Sequence, residues 1–245
     1  MIRPLFLAAL LCLSQTVFAL SDSTATHAAV LVIPYNPSMH LSDCDPEIAM
    51  NTGVDVGEMR KSLRSEILRC LNKSFAEIHD VKMPDRSFVN DANNEMEVIY
   101  HSIFYTQKNG QTSGSLLKSG PADSAFYISK TAKKIPHDKV FMNSEIRDQL
   151  LLKDLSEKYG ANYFIFLNEM DINSRPDDYI TENKQSFIRD IKLHFSIYTV
   201  SGKQIGGDVA EVHISSDMNT VKMIVNPVFP VLSKYILDSF NRSIR

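Results

Sequence analysis

YGANYFIFLNEMDI, residues 159–172, is the stretch on which the fold turns. Upstream of it Ile146, Leu150, Leu151, Leu155 and Tyr159 recur at helical spacing, and Gly160 offers the left-handed cap that ends such a helix without steric cost. Tyr163 to Leu167 are then apolar without interruption, the pattern of a strand buried on both faces. Helix, glycine and buried strand form the return half of a β-α-β crossover, so this strand is predicted to lie centrally in a sheet. Glu169 and Asp171 follow two apart. On a strand they point the same way, with roughly 7 Å between their attachment points. That separation resembles the acid pair of an inverting glycoside hydrolase, but sugar cleavage normally uses aromatic platforms and the chain has no tryptophan. The pair is read as a solvated strand end.

Outward from this run, AAVLVIPY (28–35) is a second short apolar strand, stopped by Pro34 and Pro37. Residues 36–56 read as loop. From Glu58 the period changes: Met59, Leu63, Ile67, Cys70, Leu71, Phe75 and Ile78 mark an amphipathic helix with Arg60, Lys61, Arg64 and Arg69 between them. EMEVIYHSIFYT (95–106) fits a helical stripe as well as a strand, and helix is favoured. Residues 107–140 have the glycine, proline, serine and lysine composition of turns. Phe187 to Val200 alternates apolar and polar residues, which predicts one wet face. Ser201-Gly202 turns the chain, Ala210, Val212 and Ile214 return a matching apolar face, and Gly206-Gly207 suits a bulge. Val221 to Phe240 reads as a helix interrupted at Pro227 or Pro230. The expected fold is α/β, a layered sandwich with a mixed parallel and antiparallel sheet and covering helices.

MIRPLFLAALLCLSQTVFA (1–19) places Arg3 before an apolar run and ends with Val17 and Ala19 at signal-peptidase spacing, so it is read as a signal peptide. Residues 20–28 form a polar leader, and 29–245 a single domain carrying a loop-rich insertion at about 80–143. The expected protein is exported and without a transmembrane segment in its mature chain. The formal charge is −3, and −4 without Arg3, too mild for a nucleic-acid surface. Cys44 and Cys70, the two cysteines beyond the leader, either close a disulfide in an oxidising compartment or serve as small buried hydrophobes, and spacing leaves both open.

No motif carries a complete active site. Ser115-Leu-Leu-Lys118 matches the serine-lysine pattern of acyltransferases but lacks the separate Ser-Asp-Asn and Lys-Thr-Gly elements. No two of the seven histidines stand three or four apart, so a helical zinc site is unsupported. His194 and His213 read as solvated strand residues. Asp43, Asp45 and Glu47 alternate like the start of a calcium loop, but Ile48 stands where that loop requires glycine. Neither a metal nor a cofactor is expected. Lys130, Lys133, Lys134, His137 and Lys139 form the densest basic cluster, interleaved with aromatic residues, and are the candidate partner-binding residues.

Several segments together resemble a known exported module. AVLVIPYNP (29–37) and MRKSLRSEILRCL (59–71) are similar to the opening strand and helix of the α/β domain shared by the curli-secretion lipoprotein, the penicillin-binding-protein activator lipoprotein and the amino-terminal domain of the Tol-system propeller protein. LSEKYGANYFIFLNEM (155–170) resembles that family's helix, Gly-Ala-Asp-Tyr and strand, with Asn162 in place of the aspartate, and IKLHFSIYTVSGKQIGG resembles its hairpin. The chain departs from the family in lacking a lipobox and in its insertion. The resemblance implies a non-catalytic periplasmic or outer-membrane-associated module that docks onto an envelope protein. The alternatives are a cell-wall or glycan hydrolase using Glu169, Asp171 or Ser115, and a homo-oligomeric envelope subunit pairing through the edge of the 187–215 hairpin.

Overall fold

In a computed structural model of the chain, the residues described are 28–84, 94–109, 140–148, 150–179 and 186–245. The chain folds as the α/β sandwich its sequence predicts. Strands β1 (Ala29–Ile33), β2 (His40–Ser42), β3 (Asp80–Lys82), β6 (Tyr163–Tyr179), β7 (Phe187–Thr199) and β8 (Gln204–Ser215) make one mixed sheet. Its order is β3-β1-β6-β7-β8, with β2 continuing the line of β1 along β6. The β3-β1-β6 half and the β2-β6 pair are parallel, while β6-β7-β8 is antiparallel. Strands β4 (Ile103–Asn109) and β5 (Val140–Ile146) form a separate antiparallel pair. The helices are α1 (Asp45–Thr52), α2 (Val56–Ala76), α3 (Asn94–His101), α4 (Leu151–Tyr159) and α5 (Val221–Ser243).

Period-2 alternation sorts the sheet's side chains onto two faces. Val30, Val32, Ile165, Leu167, Ile191, Leu193, Phe195, Ala210, Val212 and Ile214 pack beneath α2 and α5 in the larger core. Leu31, Ile33, Phe164, Phe166 and Tyr198 face the other way, against α3 and α4. The double burial of Tyr163 to Leu167 is thus that of a central strand fed by α4, whose end at Gly160 takes the left-handed φ of 66°.

Five local expectations change. Residues 36–56 contain β2 and α1 as well as loop. The 95–106 stretch splits at Ser102 into α3 and β4, and Ile146 belongs to β5 rather than to the helix after it. Helix α5 continues through both prolines. The two carbonyls that lose their donors belong to Met223 and Asn226, both exposed residues on the solvent side of the helix, while Ile224, Val228, Phe229 and Leu232 hold the buried side. Finally, the polar face of β7 is not wet along its length: β5 lies across it. Cys44 and Cys70 are both buried free thiols, so no bridge joins them. Cys44 sits at the start of α1, with its Sγ 3.6 Å from the Ile172 carbonyl, and Cys70 packs on the inner face of α2 as a small hydrophobe.

Gly207 lets β5 dock. A Cβ there would stand 2.9 Å from two ring carbons of Phe141. Gly207→Ala is therefore expected to cost about 1–3 kcal/mol, the usual range for overpacking. Denaturant unfolding of Gly207→Ala, Phe141→Ala and the double variant checks it. Removing the ring should cancel most of the alanine's cost, and strictly additive effects would contradict the contact.

Candidate functional site

The site is assembled around one irregularity in β6. Register runs Leu167↔Phe195 and then Glu169↔His194, which leaves Asn168 as an extra residue. The helix-facing residues of β6 are accordingly Ile165, Leu167, Met170 and Ile172, with one spacing of three among spacings of two. Asn168 and Glu169 both end on the β5 side. There Asn168 Nδ2 donates to the Met142 carbonyl (2.8 Å) and to Ser196 Oγ (2.8 Å), while Ser196 Oγ donates to Asn143 Oδ1 (2.9 Å). Tyr198 donates to the Ser144 carbonyl. Asn143, Ser144, Asn168 and Ser196 are fully buried, so the seam joining β5 to the sheet is polar and dry.

At the end of this seam stand Glu169, Asp171 and His194. The structure corrects their expected solvation: their side chains are 8%, 14% and 7% exposed. His194 Nε2 lies 3.1 Å from Asp171 Oδ2 and 3.8 Å from Glu169 Oε1, and its Nδ1 accepts the Met142 backbone N–H at 2.9 Å. An acceptor at Nδ1 places the ring proton on Nε2, where it is donated to Asp171. Burial, and then the neighbouring Asp171 carboxylate, push the Glu169 carboxyl above its ordinary range, with His194 opposing them in part.

These three residues could hold a divalent cation, since one ligand atom from each falls within 4.8 Å of the others. The donor set fits poorly. A metal on Nε2 would evict its proton, and a metal-bound imidazole ordinarily donates its other N–H outward, whereas here the other nitrogen receives one. The third polar group that acid-base chemistry requires is present, but a backbone strand closes the pair from solvent. As built, the cluster fastens β5 to the sheet.

Beyond the seam the same sheet face opens into a charged grid. Asp171, Lys192 and Glu211 lie in one cross-strand row, and Asn173, Asp190 and His213 in the next. Asp190 accepts from Arg175 Nη2 at 2.8 Å and pairs with His213 Nδ1 at 2.6 Å. Burial alone would raise the Asp190 carboxyl, but His213, Arg175 and Lys192 outweigh it and hold the group below its usual range. His213 is thus opposite Asp190, not His194, which pairs with Val209.

The acids of residues 43–47 turn to three different sets of partners. Asp43 accepts the Ser174 N–H (3.0 Å), Glu47 pairs with the fully buried Arg189 (3.0 Å), and Asp45 is held by His40 (3.1 Å) and Arg60. Burial works against the Asp45 carboxylate, yet those hydrogen bonds keep it below the ordinary range. Ser115 and the basic cluster of Lys130, Lys133, Lys134, His137 and Lys139 lie outside the described residues. The sequence reading placed the two acids together but missed their partners. The signal was available in the slip from Leu167 to Met170, which breaks the alternation.

Comparison of the chain with family models and with curated proteins gives no match. No helix among the described residues is long and apolar enough to cross a membrane.

A raised Glu169 carboxyl has a definite consequence for stability. Its contribution is whole below the unfolded glutamate value and is lost as pH rises through the higher folded value. Glu169→Gln removes that titration, so its unfolding free energy should fall less than the wild type's as pH rises. Urea unfolding from about pH 4 to about pH 8 measures this, and parallel profiles for the two proteins would contradict it.

Proposed function

We propose that the protein is a non-catalytic, exported binding module of the cell envelope, periplasmic or associated with the outer membrane, which docks an extended segment of a protein partner along β8. One observation carries the reading. Strand β8 is twelve residues long and pairs only with β7 among the described residues, so its other side presents backbone donors and acceptors. α5 backs one face of the strand, and Phe141 of β5 packs on the other at Gly207. An edge held this rigidly needs little reordering to accept another strand. The signal-like residues 1–19 and the resemblance to envelope docking domains support the compartment and the adaptor role.

The ladder identifies which groups are offered. Ser216 N–H donates to the Phe187 carbonyl at 2.9 Å, and the register holds from Ile188↔Ser215 to Ile197↔Gly206. Alternation then turns Asp208, Ala210, Val212 and Ile214 toward β7, and Gly207, Val209, Glu211, His213 and Ser215 outward, with the Val209 N–H already donated to Asp208 Oδ1 (2.9 Å) and the Ser215 carbonyl already accepting from the Met218 N–H (3.0 Å). The hydrolase alternative draws on Glu169 and Asp171, and needs them open to substrate, whereas the Met142 backbone bonds the histidine that holds Asp171.

Glu211→Pro removes an outward N–H without touching the β7 ladder, a position where an edge strand tolerates proline. Capture of an envelope partner from extract should be lost with Glu211→Pro and kept with Glu211→Ala and Glu169→Gln. Capture indifferent to the proline, or abolished by Glu169→Gln at unchanged stability, would refute the docking edge. A reporter active only outside the cytoplasm, fused after Ala19, tests export, and an inactive fusion counts against the envelope assignment.

A further inference from the structure

Arg189 is fully buried and only partly paired. It stands two residues before Ile191 on β7, on the face that the helices cover, and its guanidinium carbon lies 5.9 Å from the centre of the Phe187 ring. Its Nη2 donates to Glu47 Oε2 at 3.0 Å, while Nε and Nη1 are buried without a hydrogen-bond partner among the described residues. A guanidinium carries five N–H donors, and leaving several of them dry and unmatched is strongly unfavourable. The side chain aims at the first turn of α1. Glu47 is the third residue of that helix and Cys44 its N-cap. Burial pushes the Cys44 thiol up, and the Ser42 hydroxyl and the Arg189 charge draw it down. The Cys44 side chain caps none of the turn's amides, and the N–H groups of Asp45 and Glu47 have no acceptor within the helix. The neighbouring acids turn elsewhere: Asp43 accepts the Ser174 N–H, and Asp45 is held by His40 and Arg60.

We infer that Arg189 and the first turn of α1 form a binding site for a carboxylate, in which Glu47 is the resident stand-in that an incoming carboxylate displaces. The Glu47 side chain is 42% exposed and that of Arg189 0%, so a dry cation lies beneath a partly solvated cover. Rotation of Glu47 into water vacates a space of carboxylate size without moving the backbone. Tethered at the third position of α1, Glu47 delivers one oxygen to one nitrogen. A free carboxylate can turn. It takes two guanidinium N–H groups as a fork, or one of them together with an N–H of the helix, and so meets donors that Glu47 leaves unmatched. Charge limits the ligand class. Arg60 is held by Asp45, which leaves one positive charge for the ligand, while Asp43 and Asp45 act on Cys44 at the same turn. A monovalent carboxylate is matched there and a dianion is repelled. The cover admits a slender stem, as in a small organic acid or the end of a peptide chain.

Glu47 competes as a tethered ligand, so removing its charge should tighten binding. The probe is acetate, titrated into the full chain at constant ionic strength, with chloride and the dianion sulfate as parallel arms. The Arg189 Nε–H resonance should shift saturably with acetate and with neither of the other two. Glu47→Gln should lower the half-saturating acetate concentration at least about tenfold. Arg189→Lys should abolish the saturable rise in unfolding midpoint that acetate gives the wild type. The resonance titration reads the wild-type chain, so it decides the matter even where a variant does not fold. N-acetylglycine, which mimics a chain end, identifies the source: binding tighter than acetate assigns the site to a peptide terminus, and binding no tighter assigns it to free small acids, each outcome supporting a carboxylate site. A wild-type resonance indifferent to acetate, even where Glu47→Gln responds, makes the ion pair a permanent structural bridge and overturns the inference. An equal response to acetate, chloride and sulfate, or an unchanged half-saturation in Glu47→Gln, overturns it as well.

Discussion

One extra residue in the central strand organises the polar half of this protein. A strand covered on both faces has no freedom in where its side chains go, because each step of one residue reverses the face. Without the bulge at Asn168, Glu169 would point into the apolar core under α2 and α5, and Met170 and Ile172 would lie beneath β5. The slip instead delivers Asn168, Glu169 and Asp171 to one side, where Ser196 and His194 of β7 and the backbone of β5 can meet them. The carboxyl pair stands beside the His194 ring, 3.1 Å from Asp171 and 3.8 Å from Glu169. Asp171 Oδ1, like Asn168 Oδ1 and Ser144 Oγ in the seam, has no hydrogen-bond partner among the described residues.

The seam also explains how the fold holds its second small sheet: Ile103 and Ile146 at one end join the smaller apolar core, and the rest of β5 docks through polar groups. Strand β5 is fastened mainly through Met142, Asn143 and Ser144, with Phe141 on Gly207 as its apolar anchor. From that closed end the sheet face grades outward into charged residues, and Lys192 and Arg175 are about a third exposed. The same surface therefore passes from the closed seam at Glu169 to the partly exposed Glu211 and His213 at the rim, which pair with Lys192 and Asp190.

The legible parts of the sequence were those in which burial follows period. The α2 stripe, the Gly160 cap, the apolar run of β6 and the 187–215 hairpin stand in the structure where their patterns put them. Strands β4 and β5 were not legible for the opposite reason. Their partner strands are separated by some thirty residues, and β5 turns Asn143 and Ser144 into the interior, against the rule that buried strand positions are apolar. The acid pair was found but assigned to solvent, because its cover comes from β5, which the same inversion had hidden. Prolines 227 and 230 misled in another way: local propensity favoured a break, and the core contacts of Val228, Phe229 and Leu232 overrode it.

The central claim is that β8 has one satisfied edge and one that awaits a strand. Amide hydrogen exchange resolved along β8 tests this most directly. In dilute protein the amides of Ala210, Val212 and Ile214 should be protected and those of Glu211, His213 and Ser215 should exchange freely, the latter becoming protected when a strand docks. Uniform protection of all six amides in the dilute monomer, or outward amides that still exchange freely in the docked state, would contradict it.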